Sequence, residues 1–263
     1  MFDEAITVLR LDPTLLFGIV LAVLLPLRIV ALSVPGSPLR DARPDEILDI
    51  FVGNLSAPGA VLAAAVTLLF ESLALFAVAA AYAEVLSRWY AGVPITVSDA
   101  LVSSIRRTVP LVVAWTIVHV AEALSALFTV GLGILFVGPM LIVTAPVIGA
   151  ERVGPMRALR RSLDLTSSEL VRVFMVFVTT GVGALLIRLM IESVPSVIGF
   201  ALFDLPLWAV NGVADVVATI VQLAFVAAAA NVTYIDLRVR REGIDLYSAN
   251  STAFGASALG SHG

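Results

Sequence analysis

The sequence predicts an all-α integral membrane protein with six transmembrane helices. Three observations predict it: six apolar runs of membrane-spanning length, a composition far from that of soluble domains, and arginines that gather on one side of the implied bilayer. About 20 residues at a 1.5 Å rise cover a hydrocarbon core of about 30 Å. Of the 263 residues, 60% are hydrophobic and 14% charged, where soluble domains run at about 45–50% and about 25%. Mean hydropathy is +1.04.

In chain order, Phe2 to Arg10 reads as a short surface helix with Phe2, Ile6 and Leu9 on one side. Asp12 is placed to cap span one, over 14–32, with Pro13 as its first helical residue. Residues 33–58 break the pattern (VPGSPLRDARPDE), with a small helix expected at 45–52 on the outer face. Span two covers 59–86, is alanine-rich and carries Glu71 near its middle; Ala74, Ala77 and Ala81 form a small-residue face suited to close helix packing. Trp89 and Tyr90 follow at headgroup level, where amphipathic aromatics are favoured. Ser98 is a candidate cap for a short helix that sets Leu101 and Ile105 against Arg106 and Arg107. Span three, 109–128, and span four, 134–148, are joined by a turn at Gly131 and Gly133, and Pro139 and Pro146 should bend span four.

The stretch 151–174, ERVGPMRALRRSLDLTSSELVRVF, organises the chain. Gly154-Pro155 opens a helix on which Met156, Leu159 and Leu163 share a stripe opposite Arg157, Arg160, Arg161 and Asp164. Such a helix lies in the headgroup plane and presents arginine to anionic lipid. Thr166 to Glu169 has capping-box spacing for the next helix, span five at 173–191. Residues 192–206 read as an outer-leaflet or re-entrant segment, and span six as 207–230. A last surface helix, NVTYIDLRVRREGIDL, should stop at Gly243. Residues 1–246 thus form a single helical domain, followed by a Ser/Ala/Gly-rich tail, 247–263, expected to be disordered. Three short segments (EAITVLR, DALVSSIRR, MRALRRSL) each precede an outward span. They fit either three related hairpins or the basic residues that any inside-start hairpin carries.

Orientation follows from the arginines, since all 16 basic residues are arginine. Twelve fall in segments that share a side with the amino terminus, among them Arg10, Arg88, Arg152, Arg172, Arg238 and the pairs 106–107 and 160–161. Only Arg40 and Arg43 fall on the other. The positive-inside rule therefore puts both termini in the cytoplasm, and the arginine-for-lysine bias fits a GC-rich bacterial genome. No cleavable leader is expected, because Asp3, Glu4 and Asp12 spoil the positive start one requires.

Several chemistries are excluded. Without cysteine there is no thiolate ligand or nucleophile, and two histidines, His119 and His262, leave little for a metal site. No phosphate loop, HExxH or GxSxG pattern is present, so neither catalytic residues, metal nor cofactor are expected. Nothing in the charge pattern suggests nucleic acid. What remains is a set of ionisable residues in the apolar runs: Arg28, Glu71, His119, Glu122 and Arg188, with Glu192 and Asp215 nearer the surface. Each costs roughly 2.5–3.5 kcal/mol to insert unpaired. Either Glu71, His119 and Glu122 build a proton relay or solute pocket, or Arg28 and Arg188 pair with Glu122, Glu71, Glu192 or Asp215 to hold helices together.

Two stretches, GPMRALRRSLDL before a span and YIDLRVRREGIDL after the last one, resemble a bacterial, mostly actinobacterial, multi-pass family labelled as glycerophosphoryl diester phosphodiesterase membrane domains. The resemblance implies a helical membrane domain without the soluble catalytic barrel, and supplies no catalytic residues. The reading that follows is a non-enzymatic accessory or scaffold subunit of a bacterial envelope complex in the plasma membrane. Anionic headgroups or protein partners would bind through Arg106, Arg107, Arg157, Arg160 and Arg161. The alternative is a small transporter or channel-like permease using Glu71, His119 and Glu122.

Overall fold

A computed structural model describes residues 2–33, 58–202 and 207–242, with side chains placed for 3–30, 65–193 and 213–242. Ten helices make up the described residues: α1 (Phe2–Leu11), α2 (Pro13–Ser33), α3 (Pro58–Tyr90), α4 (Val97–Ile105), α5 (Thr108–Thr129), α6 (Ile134–Leu141), α7 (Thr144–Glu151), α8 (Pro155–Ser167), α9 (Leu170–Leu202) and α10 (Leu207–Glu242). Six runs are long and apolar enough to cross a membrane: those of α2, α3, α5, α6 with α7, α9 and α10. The short helices α1, α4 and α8 each precede a long one, as the sequence suggests. The expected helix at 45–52 and the tail 247–263 lie outside the described residues.

Local chemistry sets the boundaries. Asp12 caps α2, accepting from the Leu15 amide at 3.0 Å and the Thr14 hydroxyl at 2.8 Å. Those two bonds hold its carboxyl below the ordinary range. At α4 the cap is Thr96, not Ser98: Thr96 and Asp99 bond each other's backbone amides reciprocally. Span four is broken outright at Ile142 and Val143. Pro146 has no N–H for the Ile142 carbonyl four residues back, so the helix restarts instead of bending.

Three more expectations are corrected. Thr166 does not cap the following helix; it lies inside α8, its hydroxyl 2.9 Å from the Ser162 carbonyl and 3.2 Å from that of Met140, to which the Ser162 hydroxyl donates at 2.8 Å. Met140 sits in the last turn of α6, where carbonyls lack intrahelical donors, so α8 is stapled to the break in span four. Residues 192–202 do not turn back but extend α9, and span six with its tail is one continuous helix, α10. Its last residue, Glu242, directly precedes Gly243.

Packing centres on α3 and α10. Ala74, Val78, Ala81 and Tyr82 of α3 meet Leu16, Ile19, Val20 and Leu24 of α2 and Ala224, Phe225, Ala227 and Ala228 of α10. A second cluster joins Ala80 to Val147 and Ile148 of α7, Ala158 and Leu165 of α8, and Tyr234 and Leu237 of α10. Small side chains bring backbones close enough for Asn231 to donate to the Ala79 carbonyl at 2.9 Å and Tyr82 to the Leu16 carbonyl at 3.0 Å. The outer faces of α5 and α9 instead expose Val120, Leu124, Leu127, Val182, Leu185 and Leu189, a surface suited to hydrocarbon and costly in water.

The tightest approach is at Gly149, where a Cβ would lie 2.2 Å from the Ala80 carbonyl oxygen. Gly149→Ala should therefore lower thermal stability in detergent by about 1–3 kcal/mol, the usual cost of overpacking. Gly181→Ala, whose Cβ meets nothing within 4 Å, should leave the melting temperature unchanged or raised.

Candidate functional site

The intramembrane charges gather in two separate networks, because consecutive residues on a helix point about 100° apart. Glu71 faces α2 and α9. Ser72, one residue on, faces α5.

In the first network Arg28 of α2 reaches Glu71 Oε1 at 2.7 Å, Asp215 Oδ2 of α10 at 3.1 Å and the Thr219 hydroxyl at 2.8 Å. Arg188 of α9 reaches Asp215 Oδ1 at 2.6 Å, Glu192 Oε1 at 2.7 Å and Glu71 Oε2 at 3.6 Å. Its guanidinium also lies 3.3 Å from Gln222 Oε1. Two guanidiniums are thus shared by three carboxylates from α3, α9 and α10. Sharing suits arginine, whose planar fork offers five donors and stays charged. Of the pairings open to the sequence, those with Glu71, Glu192 and Asp215 form; Glu122 goes elsewhere. The hollow beside Arg28 and Glu71, walled by Leu24, Leu27, Thr67 and Phe70, is too small for a water molecule.

In the second network His119 Nδ1 lies 2.7 Å from Glu122 Oε2, and Nε2 lies 2.8 Å from Ser72 Oγ. Trp115 donates to the same hydroxyl at 2.9 Å. Glu71 has no hydrogen bond with this group, so Glu71, His119 and Glu122 do not form one relay.

The end of the bundle that carries most arginines holds a third network that the sequence reading missed. Glu84 of α3, only 1% exposed, accepts from Arg88 at 2.9 Å, Arg107 at 3.1 Å and Arg152 at 3.1 Å. Arg107 also donates to the Gly149 carbonyl. Arg152 ends α7 in the left-handed region, at φ 56°, which costs a side chain about 1–2 kcal/mol and aims its guanidinium back at Glu84. The overlooked signal was a carboxylate four residues before Arg88 in an otherwise apolar turn.

The five arginines expected to bind headgroups are divided by the fold. Arg107 is drawn into the Glu84 network, and Arg161 into ion pairs with Glu151 and Glu242. Arg106, Arg157 and Arg160 are exposed, and no ion pair engages them among the described residues. The predicted apolar stripe of α8 is also divided. Leu159 is buried with Ala158, Ser162, Leu165 and Thr166, whereas Met156 and Leu163 stand out at 57% and 40% exposure. Helix α8 docks by this mixed face of leucines and small residues, which leaves Met156 and Leu163 beside Arg157 and Arg160.

A slot of about 100 Å³ opens between α3 and α10 at this end, lined by Ser87, Tyr90, Asn231, Tyr234 and Arg238 among others. Neither Glu71 nor His119 lines it. Among the described residues no group of three His, Cys, Asp or Glu side chains is placed to hold a metal ion. No protein-family model, curated protein or solved structure matches the chain.

Glu84→Gln leaves three guanidiniums without their shared carboxylate. The expected loss is about 3–5 kcal/mol, the range for breaking a buried ion pair from one side, read as a lower thermal midpoint in detergent. Asp164→Asn, an exposed control on α8, should move stability by no more than about 0.5 kcal/mol.

Proposed function

We propose that this multi-pass membrane protein is a non-enzymatic accessory or scaffold subunit of a bacterial envelope complex. In this reading it sits in the plasma membrane with both termini cytoplasmic and is held to anionic lipid at its arginine-rich end. The observation that carries the reading is the contrast between two sets of arginines. Arg28 and Arg188 are consumed by carboxylates inside the bundle, whereas Arg106, Arg157 and Arg160 are exposed beside Met156, Leu163 and Ile105. Apolar side chains flanking exposed guanidiniums match a surface that enters the headgroup layer, where each cation near anionic lipid contributes about 1 kcal/mol.

The same contrast weighs against the transporter alternative. A permeation route needs polar groups facing a cavity, and Glu71 is instead engaged by two arginines beside a hollow too small for water. The likeness of GPMRALRRSLDL and YIDLRVRREGIDL to the phosphodiesterase-associated membrane domains adds support of its own kind. What that resemblance implies is a helical membrane domain, in other proteins sometimes fused to a soluble phosphodiesterase.

The test is a pull-down of the intact chain from its native membrane in mild detergent, with mass spectrometry of protein and lipid. The account expects a stoichiometric protein partner and retained anionic lipid. Arg106→Gln, Arg157→Gln and Arg160→Gln together should reduce that lipid at least several-fold while the fold persists. A chain that purifies alone, with lipid unchanged in the triple variant, would contradict the proposal.

A further inference from the structure

The slot between α3 and α10 and the Glu84 network lie side by side. On α3 the slot is lined by Ala83, Leu86, Ser87 and Tyr90, and Glu84 and Arg88 occupy the adjoining face of the same turns. On α7 the slot touches Ala150. Arg152, which reaches Glu84, follows two residues later.

The slot is apolar in effect. Leu86, Ala150, Ile235 and Val239 wall it. Of its polar groups, Asn231 gives both amide hydrogens to the Ala79 and Ala227 carbonyls, and the Tyr234 hydroxyl donates to Glu151 at 3.0 Å. Neither offers a solute a free hydrogen. The volume of about 100 Å³ is below the roughly 150 Å³ of a cavity that takes up benzene. There is room for a stretch of one alkyl chain. Ser87 and Tyr90, both exposed, mark its mouth at the arginine-rich end.

Beside that mouth lies a surplus of positive charge. Glu84 Oε1 accepts from Arg88 and Oε2 from Arg107, so each oxygen has a guanidinium before Arg152 is counted. Arg152 is a third, 64% exposed along its side chain, and it holds the left-handed backbone position that glycine usually fills at a helix end. Three guanidiniums on one carboxylate leave two positive charges over. Asp99 also feels Arg88 but is engaged in the cap of α4, and the set stays positive when it is included. Glu151 and Glu242 are matched by Arg161 and Arg238. A cationic rim on an apolar slot is complementary to a phosphate that carries an alkyl chain.

We propose that the slot and the Glu84 arginines bind one anionic phospholipid. A stretch of one chain enters between α3 and α10, and the phosphate rests on Arg88 and Arg152, each of which gives Glu84 one N–H of its five. The site rests on the reading above, in which the arginine-rich end meets anionic lipid, but it uses none of Arg106, Arg157 and Arg160.

The test reconstitutes the full chain in vesicles of phosphatidylglycerol and phosphatidylcholine in equal amounts. After re-extraction and exhaustive washing in mild detergent, native mass spectrometry counts the bound lipid. The expected result is one phosphatidylglycerol per chain. Arg152→Gly suits the left-handed backbone and leaves Glu84 two arginines; it should lower occupancy about fivefold, the weight of one cation near anionic lipid. Ser87→Leu, at the exposed mouth, should lower it at least as much by filling the slot. Arg106→Gln, Arg157→Gln and Arg160→Gln together should leave this lipid in place while shedding the loosely held remainder. A parent chain that keeps no phospholipid, or keeps the two kinds equally, would overturn the proposal without any variant. Full occupancy in Arg152→Gly or in Ser87→Leu would overturn it too. Loss confined to the triple variant would overturn this site and leave the earlier reading standing.

Discussion

The structure depends on one electrostatic constraint: charge placed inside a membrane bundle has to find opposite charge there. Arg28 and Arg188 enter from α2 and α9, and three carboxylates enter from α3, α9 and α10. No single pair could satisfy this set, because Asp215 and Glu71 are each shared by both guanidiniums. Sharing makes the network a four-helix clasp. Apolar packing is weak at telling one lipid-compatible helix face from another, since hydrocarbon is as good a neighbour as leucine. The shared charges supply the discrimination, and the alanine-rich faces of α3 and α10 then allow the close approach.

A second clasp works at the opposite end. Glu84 gathers arginines from α3, from the turn before α5 and from the end of α7, and Gly149 lets α7 settle onto Ala80 beside it. Once these arginines are engaged, the exposed ones, Arg106 just past the end of α4 and Arg157 and Arg160 on α8, are left for whatever lies outside the protein. The division of labour among the chemically identical arginines of the described residues is thus made by tertiary neighbours and not by residue type.

Much of the architecture was legible in the sequence because it rests on length and local pattern. Six apolar runs, the Asp12-Pro13 start of α2 and the Gly154-Pro155 start of α8 need no tertiary information. That Arg28 and Arg188 must pair followed from the cost of burying charge, but the partners did not, since they depend on which helices adjoin. Glu122 was open to either arginine and instead took His119 on its own face. Thr166 looked like a cap because Ser-Ser-Glu follows it at the right spacing. It lies instead inside α8, packed on the place where span four breaks, which the two prolines had marked only as a bend. Glu84 was missed because two of its three partners lie outside α3, the farthest 68 residues along the chain.

The most direct test of the clasp is a double-mutant cycle on Arg28→Met and Glu71→Leu, followed by reversible unfolding in mixed micelles. The account predicts that each single change is costly, up to about 3 kcal/mol, below the range for a buried charge left wholly unpaired because each survivor keeps one other partner. The double variant should lose clearly less than the two single losses combined, because both single changes break the same 2.7 Å pair. Losses that simply add, or single variants as stable as the parent, would contradict the claim that shared charge holds these helices together.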